Sequence, residues 1–230
     1  MRETIEIVKL AFRGEKLAYQ GVYHKLPLPG GEGKALRLSQ PGNDRIPIYL
    51  ATLGPKALEY TGEVADGWLG TSFTPEQAKA HLDYIRKGIQ TAGRSISDID
   101  IQAGGVVAFG SIEPHLQGLK QGLAFSLGAM GSAKTNFYND AYKRGGYDAI
   151  AREIQALWVS GKRQEAVVKV PDDMVLQTNL LGDEAEIKNR LLAYRNAGVT
   201  TLRLTPAGEN VTERLDTLGR TIELIKKLDY

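Results

Sequence analysis

Thr52-Leu53-Gly54-Pro55 is the stretch of this sequence best suited to chemistry. The apolar run Pro47-Ile48-Tyr49-Leu50-Ala51 before it is long enough for a buried strand and too short for a helix. Pro55 stands where the first turn of a helix tolerates proline. A strand feeding a helix through such a loop leaves the N–H groups of Gly54 and its neighbours pointing off a helix N-terminus, a ready site for phosphate. On local sequence alone, a plain strand-to-helix turn with no ligand is the better reading. Elsewhere the chemistry is sparse. There is no Ser-His-Asp arrangement, no H-E-x-x-H, no P-loop and no G-x-G-x-x-G opening a helix. Helix capping and solvated turns explain the carboxylate pairs Asp172-Asp173 and Asp98/Asp100. His24 lies in an extended arm, with no second ligand at metal spacing. His81 is expected on the solvent- or partner-facing side of its helix, and His115, near a first turn, reads as structural. No metal site is expected.

The elements around the loop follow from periodicity. Lys56 to Tyr60 reads as a short helix stopped near Gly62, and Val64 to Gly70 returns to strand through an Asp66-Gly67 turn, which makes a βαβ unit. Upstream, Arg2 to Phe12 predicts an amphipathic helix closed by Gly14, then a strand or arm over Leu17–Leu26 and a Pro/Gly loop over Pro27–Gly33. Thr74 is placed to cap a helix with Gln77 as its capping-box partner; Ala78, Leu82, Ile85 and Ile89 form its stripe, and Gly93 stops it. Asp100 to Phe109 is a strand whose Gly104-Gly105 suggests close backbone approach or a bulge. Glu113 to Lys169 is helical with a Gly/Asn/Tyr-rich break over Gly128–Tyr147, and a further helical stretch begins at Val170-Pro171-Asp172-Asp173 and leads through Met174 to Leu181. Glu184–Ala197 is a helix, Val199–Leu204 a strand and Val211–Leu228 the closing helix. The alternation predicts an α/β fold. Four parallel strands near 46–51, 66–70, 100–109 and 199–204 should lie side by side in sequence order, with right-handed crossovers.

Three segments carry a resemblance. "PIYLATLGPKALEYTGEVADGW", "NFYNDAYKRGGY" and "LLAYRNAGVTTLRLTP" are similar to the luciferase-like monooxygenase superfamily, in particular its F420-dependent oxidoreductases, in order over nearly the whole chain. The resemblance implies a (β/α)₈ TIM barrel and hydride transfer between a cofactor and a small organic substrate. The cofactor would be coenzyme F420, with FMN as the alternative. It also reverses the odds at the first loop: Thr52, Leu53, Gly54 and Pro55 would touch the phosphate-bearing tail, and Gly70, Thr71 and Ser72 at the next strand end join them. Asn136, Phe137 and Tyr138 could face substrate, or form a turn with a packing aromatic pair; the two readings stand equal.

The resemblance begins only at Arg2-Glu3-Thr4-Ile5, a helix that follows the fourth barrel strand in the family. A whole barrel needs about 250 residues before insertions. Residues 1–230 are therefore expected to form a single domain, a partial barrel of about the last four strands with an insertion at about 113–180, the first half being absent. The family's proton-relaying and ring-contacting residues come largely from that half, so no catalytic residue is named. Two readings remain open: a truncated F420- or FMN-dependent oxidoreductase, inactive by itself, and a non-catalytic flavin-binding or assembly protein on a partial barrel. Either leaves strand edges to be paired, so a homo-oligomer or a complementary half barrel is expected.

Composition is permissive. With 42% hydrophobic and 24% charged residues the chain is in the globular range, and its formal charge of +2 has no basic run behind it. That argues against nucleic acid or a membrane surface as partner. Zero cysteines exclude a disulfide scaffold. With no signal-like segment, the expected location is cytoplasmic.

Overall fold

A computed structural model describes residues 1–132 and 134–228. They fall into two compact units, 1–48 and the described residues from 49 on.

The first unit is a helix and a hairpin. α1 (Arg2–Phe12) has the predicted bounds. Strands β1 (Tyr19–Gln20) and β2 (Lys25–Leu26) pair antiparallel. The Glu3 carboxylate accepts from the backbone N–H groups of Val22, Tyr23 and His24, and lies 3.1 Å from His24 Nδ1. His24 is thus part of a hairpin clamp.

In the second unit, β3 (Tyr49–Leu50), β4 (Gly67–Leu69), β5 (Asp100–Ala103) and β8 (Thr201–Leu202) form one parallel sheet in that order. This is the predicted set in the predicted order. The strand predicted over 46–51 is shorter than expected, since pairing with β4 reaches only Tyr49 and Leu50.

The strand predicted over 100–109 divides. Gly104, at φ +155, and Gly105 separate β5 from β6 (Val106–Phe109). On one side the chain from Thr200 to Ala207 follows both halves without a slip, as β8 and then β9 (Thr205–Pro206). On the other side β5 pairs with β4, whereas β6 pairs with β7 (Leu180–Gly182). β7 corrects the helical reading of Met174–Leu181: the helix ends at Thr178. Leu180 and Leu181 are fully buried in a parallel strand, an environment that shows no alternation in sequence. Asn179 fills the fork, its Oδ1 accepting from Val106 N–H at 2.8 Å.

Helices cover the sheet. α2 (Pro55–Val64) and α3 (Lys79–Thr91) cross closely, and Gly62 does not stop α2. A side chain at Gly62 would strike the Ile85 carbonyl, and one at Gly88 the Glu59 carbonyl, so the two glycines are the contact. Thr74 does not cap. Its hydroxyl is buried without a partner among the described residues, and a 3₁₀ turn over Pro75–Gln77 precedes α3. Capping boxes occur instead at Ser95/Asp98 and Asp183/Glu186. Between β6 and β7 lie α4 (Glu113–Ala129), α5 (Phe137–Tyr142), a π turn over Lys143–Tyr147, α6 (Asp148–Val159), α7 (Arg163–Val168) and α8 (Asp172–Thr178). The break predicted over Gly128–Tyr147 is therefore largely helical, with residue 133 outside the described residues. α9 (Glu184–Ala197) has the predicted bounds and α10 (Val211–Lys226) closes the unit.

Two apolar clusters result. One packs Trp68, Ile85, Ile101, Val107 and Ile187 between the sheet and α2, α3, α9 and α10. The other joins Ala108 and Leu181 to the α4–α8 helices. No described helix is long and apolar enough to cross a membrane.

Candidate functional site

The carboxyl ends of β3, β4 and β5 point the same way, and parallel α/β sheets bind ligands at that end. Three loops leave it: Thr52–Gly54, Gly70–Ser72 and Gly104–Gly105.

The first loop is fixed from below. Trp68 Nε1 donates to the Thr52 carbonyl at 3.0 Å. Thr61 donates its only proton to the Ala57 carbonyl at 2.8 Å, so Thr52 Oγ1 must be the donor in their 2.7 Å contact. Thr52 is buried, and its hydroxyl is thereby committed inward. Arg144, from the π turn, donates to the Leu53 carbonyl at 2.5 Å, and burial lowers its pKa from the usual value. Gly54 is the N-cap of α2, its carbonyl accepting from Leu58 N–H at 2.9 Å, and Pro55 is the first helical residue. A Cβ at Gly54 would meet only the Phe137 ring, at 3.8 Å. The backbone here is open to a ligand, at a helix N-terminus with a guanidinium beside it.

The second loop borders a cavity of about 400 Å³. Gly70, Thr71 and Ser72 form one side, Gly104 and Gly105 the floor, and α4 with Tyr138, Tyr142 and Asn179 the opposite wall. Ser72 has φ +51, a left-handed conformation that costs a non-glycine residue about 1–2 kcal/mol. Tyr142 is buried, which pushes its hydroxyl pKa far up and keeps it a neutral phenol. Arg203 reaches in from the strand joining β8 and β9 and donates to the Gly70 carbonyl at 3.3 Å.

The start of α5 lies near both loops: Phe137, 56% exposed, stands by Gly54, and Tyr138 lines the cavity. Asn136 turns away from both. Its Oδ1 caps Asn139 N–H and its Nδ2 donates to the Ser126 and Leu127 carbonyls. The expected trio thus divides into one buried cap, one surface ring and one cavity ring. His81 overturns its expectation. It is 1% exposed, 5.4 Å from the Trp68 ring and 6.0 Å from that of Phe73, with neither nitrogen hydrogen-bonded among the described residues. Burial, with Arg144 adding to it, lowers its pKa to about 4.

Comparison with known proteins decides the family. The luciferase-like monooxygenase profile matches residues 1–201. The chain belongs to that family. It is 33% identical over 213 residues (89% of this chain, 61% of the relative) to a Mycobacterium tuberculosis protein named as a coenzyme F420-dependent oxidoreductase. It is 26% identical over 225 residues (96% of this chain, 61% of the relative) to the 5,10-methylenetetrahydromethanopterin reductase of Methanopyrus kandleri. Among solved structures, the coenzyme F420-dependent tetrahydromethanopterin reductase of Methanopyrus kandleri superposes with a TM-score of 0.69 at 22% identity, covering 98% of this chain and 60% of that one. The chain therefore spans about 61% of the length of the curated relatives it matches.

Sequence reasoning missed Arg203, Arg144 and Asn179. Only Arg203 had a local signal. In Thr201-Leu202-Arg203-Leu204-Thr205 the leucines pack on the core, which puts the arginine on the opposite face. Arg144 and Asn179 act across 91 and 73 residues of chain, and no periodicity reports that.

Proposed function

We propose that this chain is the cofactor- and substrate-binding part of an F420-dependent oxidoreductase, its four-stranded sheet being the last four strands of a (β/α)₈ barrel. The observation that carries the reading is the pair of loops at the carboxyl ends of β3 and β4: an approachable glycine at the α2 N-terminus beside Arg144, next to a strained rim at Ser72. The family's relatives named for coenzyme F420 support it. F420, when bound, supplies hydride transfer to or from a small organic substrate.

The residues fit such a group. Gly54 and the first N–H groups of α2 receive an anionic tail, while Phe137 and Arg144 flank it. Thr52 shapes the loop through Thr61 and Trp68. Gly70, Thr71 and Ser72, at the next strand end, stand where the cofactor would meet the space left for substrate. A helix N-terminus contributes about 0.3–1 kcal/mol toward an anion, so this chain by itself should hold the cofactor weakly. Further strands, from the same polypeptide or a second one, would pair the open edges at Tyr49–Leu50 and along 201–206.

Amide chemical-shift titration of the ¹⁵N-labelled chain with F420 tests this, with FMN in parallel. Shifts should centre on Leu53, Gly54, Lys56 and residues 70–72 and disappear in Gly54→Val, whose circular dichroism spectrum should stay native. No response at millimolar F420, or shifts that survive Gly54→Val, would refute the reading. A stronger response to FMN would replace the cofactor.

A further inference from the structure

Among the described residues, Arg203 is the one charged residue lining the cavity described above, and no Asp or Glu lines it. Among the described residues its guanidinium has a single hydrogen bond, the 3.3 Å contact with the Gly70 carbonyl. A guanidinium carries five N–H donors in a planar fork suited to carboxylate or phosphate. Arg203 is a solvent-exposed residue, and the rest of that capacity is open to an incoming anion. Leu119, Leu123 and Phe73 give the same cavity apolar surface, while Thr71 and Ser72 add hydroxyls.

The α4 part of the lining carries a second, independent oddity. Gly118 and Gly122, four apart on α4, face the same cavity, and glycine inside a helix costs about 1 kcal/mol relative to alanine. At Gly62 and Gly88 close packing explains the glycine. Here a Cβ at either position would meet nothing within 4 Å. The missing side chains keep the groove wide.

Taking the cavity as the substrate site of the proposed function, we infer that Arg203 anchors an anionic head on the substrate, a carboxylate or phosphate ester, and that the Gly118–Gly122 face admits its apolar body. The residue is specificity-determining: a neutral analogue leaves the fork unpaired, and a site built around such a group discriminates strongly.

The test uses the labelled chain without F420, titrated with benzoate, phenyl phosphate and neutral benzyl alcohol. One or both anions should bind at least tenfold more tightly than the alcohol, with shifts at Gly70, Thr71, Gly104 and Gly105. The stronger of the two identifies the head group. Arg203→Gln should erase the preference and Arg203→Lys keep part of it. Gly118→Leu should exclude both aryl anions but leave acetate or inorganic phosphate binding intact. Equal binding of alcohol and anions, a preference that survives Arg203→Gln, or no binding of either anion overturns the inference. F420 shifts without aryl-anion binding sink this proposal alone; aryl-anion binding without F420 shifts sinks the cofactor reading alone.

Discussion

The Tyr49 hydroxyl donates to Asp100 Oδ2 at 3.0 Å, reaching over β4 from β3 to β5. It crosses at Gly67, where any side chain would collide with its ring. Gln102 donates to the same oxygen at 2.8 Å, and Thr201 to Oδ1 at 2.8 Å, with Thr200 also donating to Oδ1. Burial raises the Asp100 pKa, but hydrogen bonds from Thr200, Gln102, Thr201 and Tyr49 outweigh it and hold it below the usual value. One carboxylate thereby ties β3, β5 and β8 at the end of the sheet remote from the loops.

From that geometry, Gly67→Ala should destabilise by about 1–3 kcal/mol, the usual cost of overpacking. The penalty should shrink when Tyr49 is also alanine, a coupling measurable by urea unfolding in a double-mutant cycle. Additive effects would show that the ring does not cross at Gly67.

The α2–α3 crossing makes an opposite-sign test of helix propensity. Gly62→Ala and Gly88→Ala each gain about 1 kcal/mol in propensity. Each also forces a Cβ into a backbone carbonyl that cannot swing aside. The clash should win, lowering the denaturation midpoint in both variants; a rise in either would place the helices further apart.

His81 should make the fold acid-sensitive. Its native pKa of about 4 lies below the ordinary histidine value of 6.5, so between those pH values the unfolded chain binds a proton that the native chain does not. Stability is therefore full above 6.5 and declines as pH falls toward 4, by about 3 kcal/mol from this residue. His81→Leu should flatten that part of the stability profile. A profile unchanged from wild type between pH 6.5 and 4 would mean that the ring is solvated.

The open edges should drive association. α10 also exposes Val211, Leu215 and Ile222 along one face, at 70%, 62% and 43% exposure. We expect light scattering at low micromolar concentration to give more than one chain mass, and Leu215→Glu to reduce it. A monomer with a sharp cooperative melt would count against this.

The sequence by itself determined the elements whose signals are local. α1 and α9 have their predicted bounds because apolar spacing and capping residues are short-range. The four parallel strands and their order were equally readable from the helix–strand alternation. The small-residue loop at Thr52–Pro55 was legible too, since a Gly-Pro pair after an apolar run marks a strand-to-helix turn. Tertiary structure decided the rest. β7 hid inside a helical reading because a strand buried on both faces has no alternation. Gly62 read as a helix stop until α3 supplied the reason for a glycine there. His81 read as a surface residue until Trp68 and Phe73 closed around it. The cavity lined by Arg203, Gly118 and Gly122 brings together residues 70, 118 and 203. Local propensity carries no record of such distances, because they are set by how the sheet forks at Gly104-Gly105 and where the helices then pack.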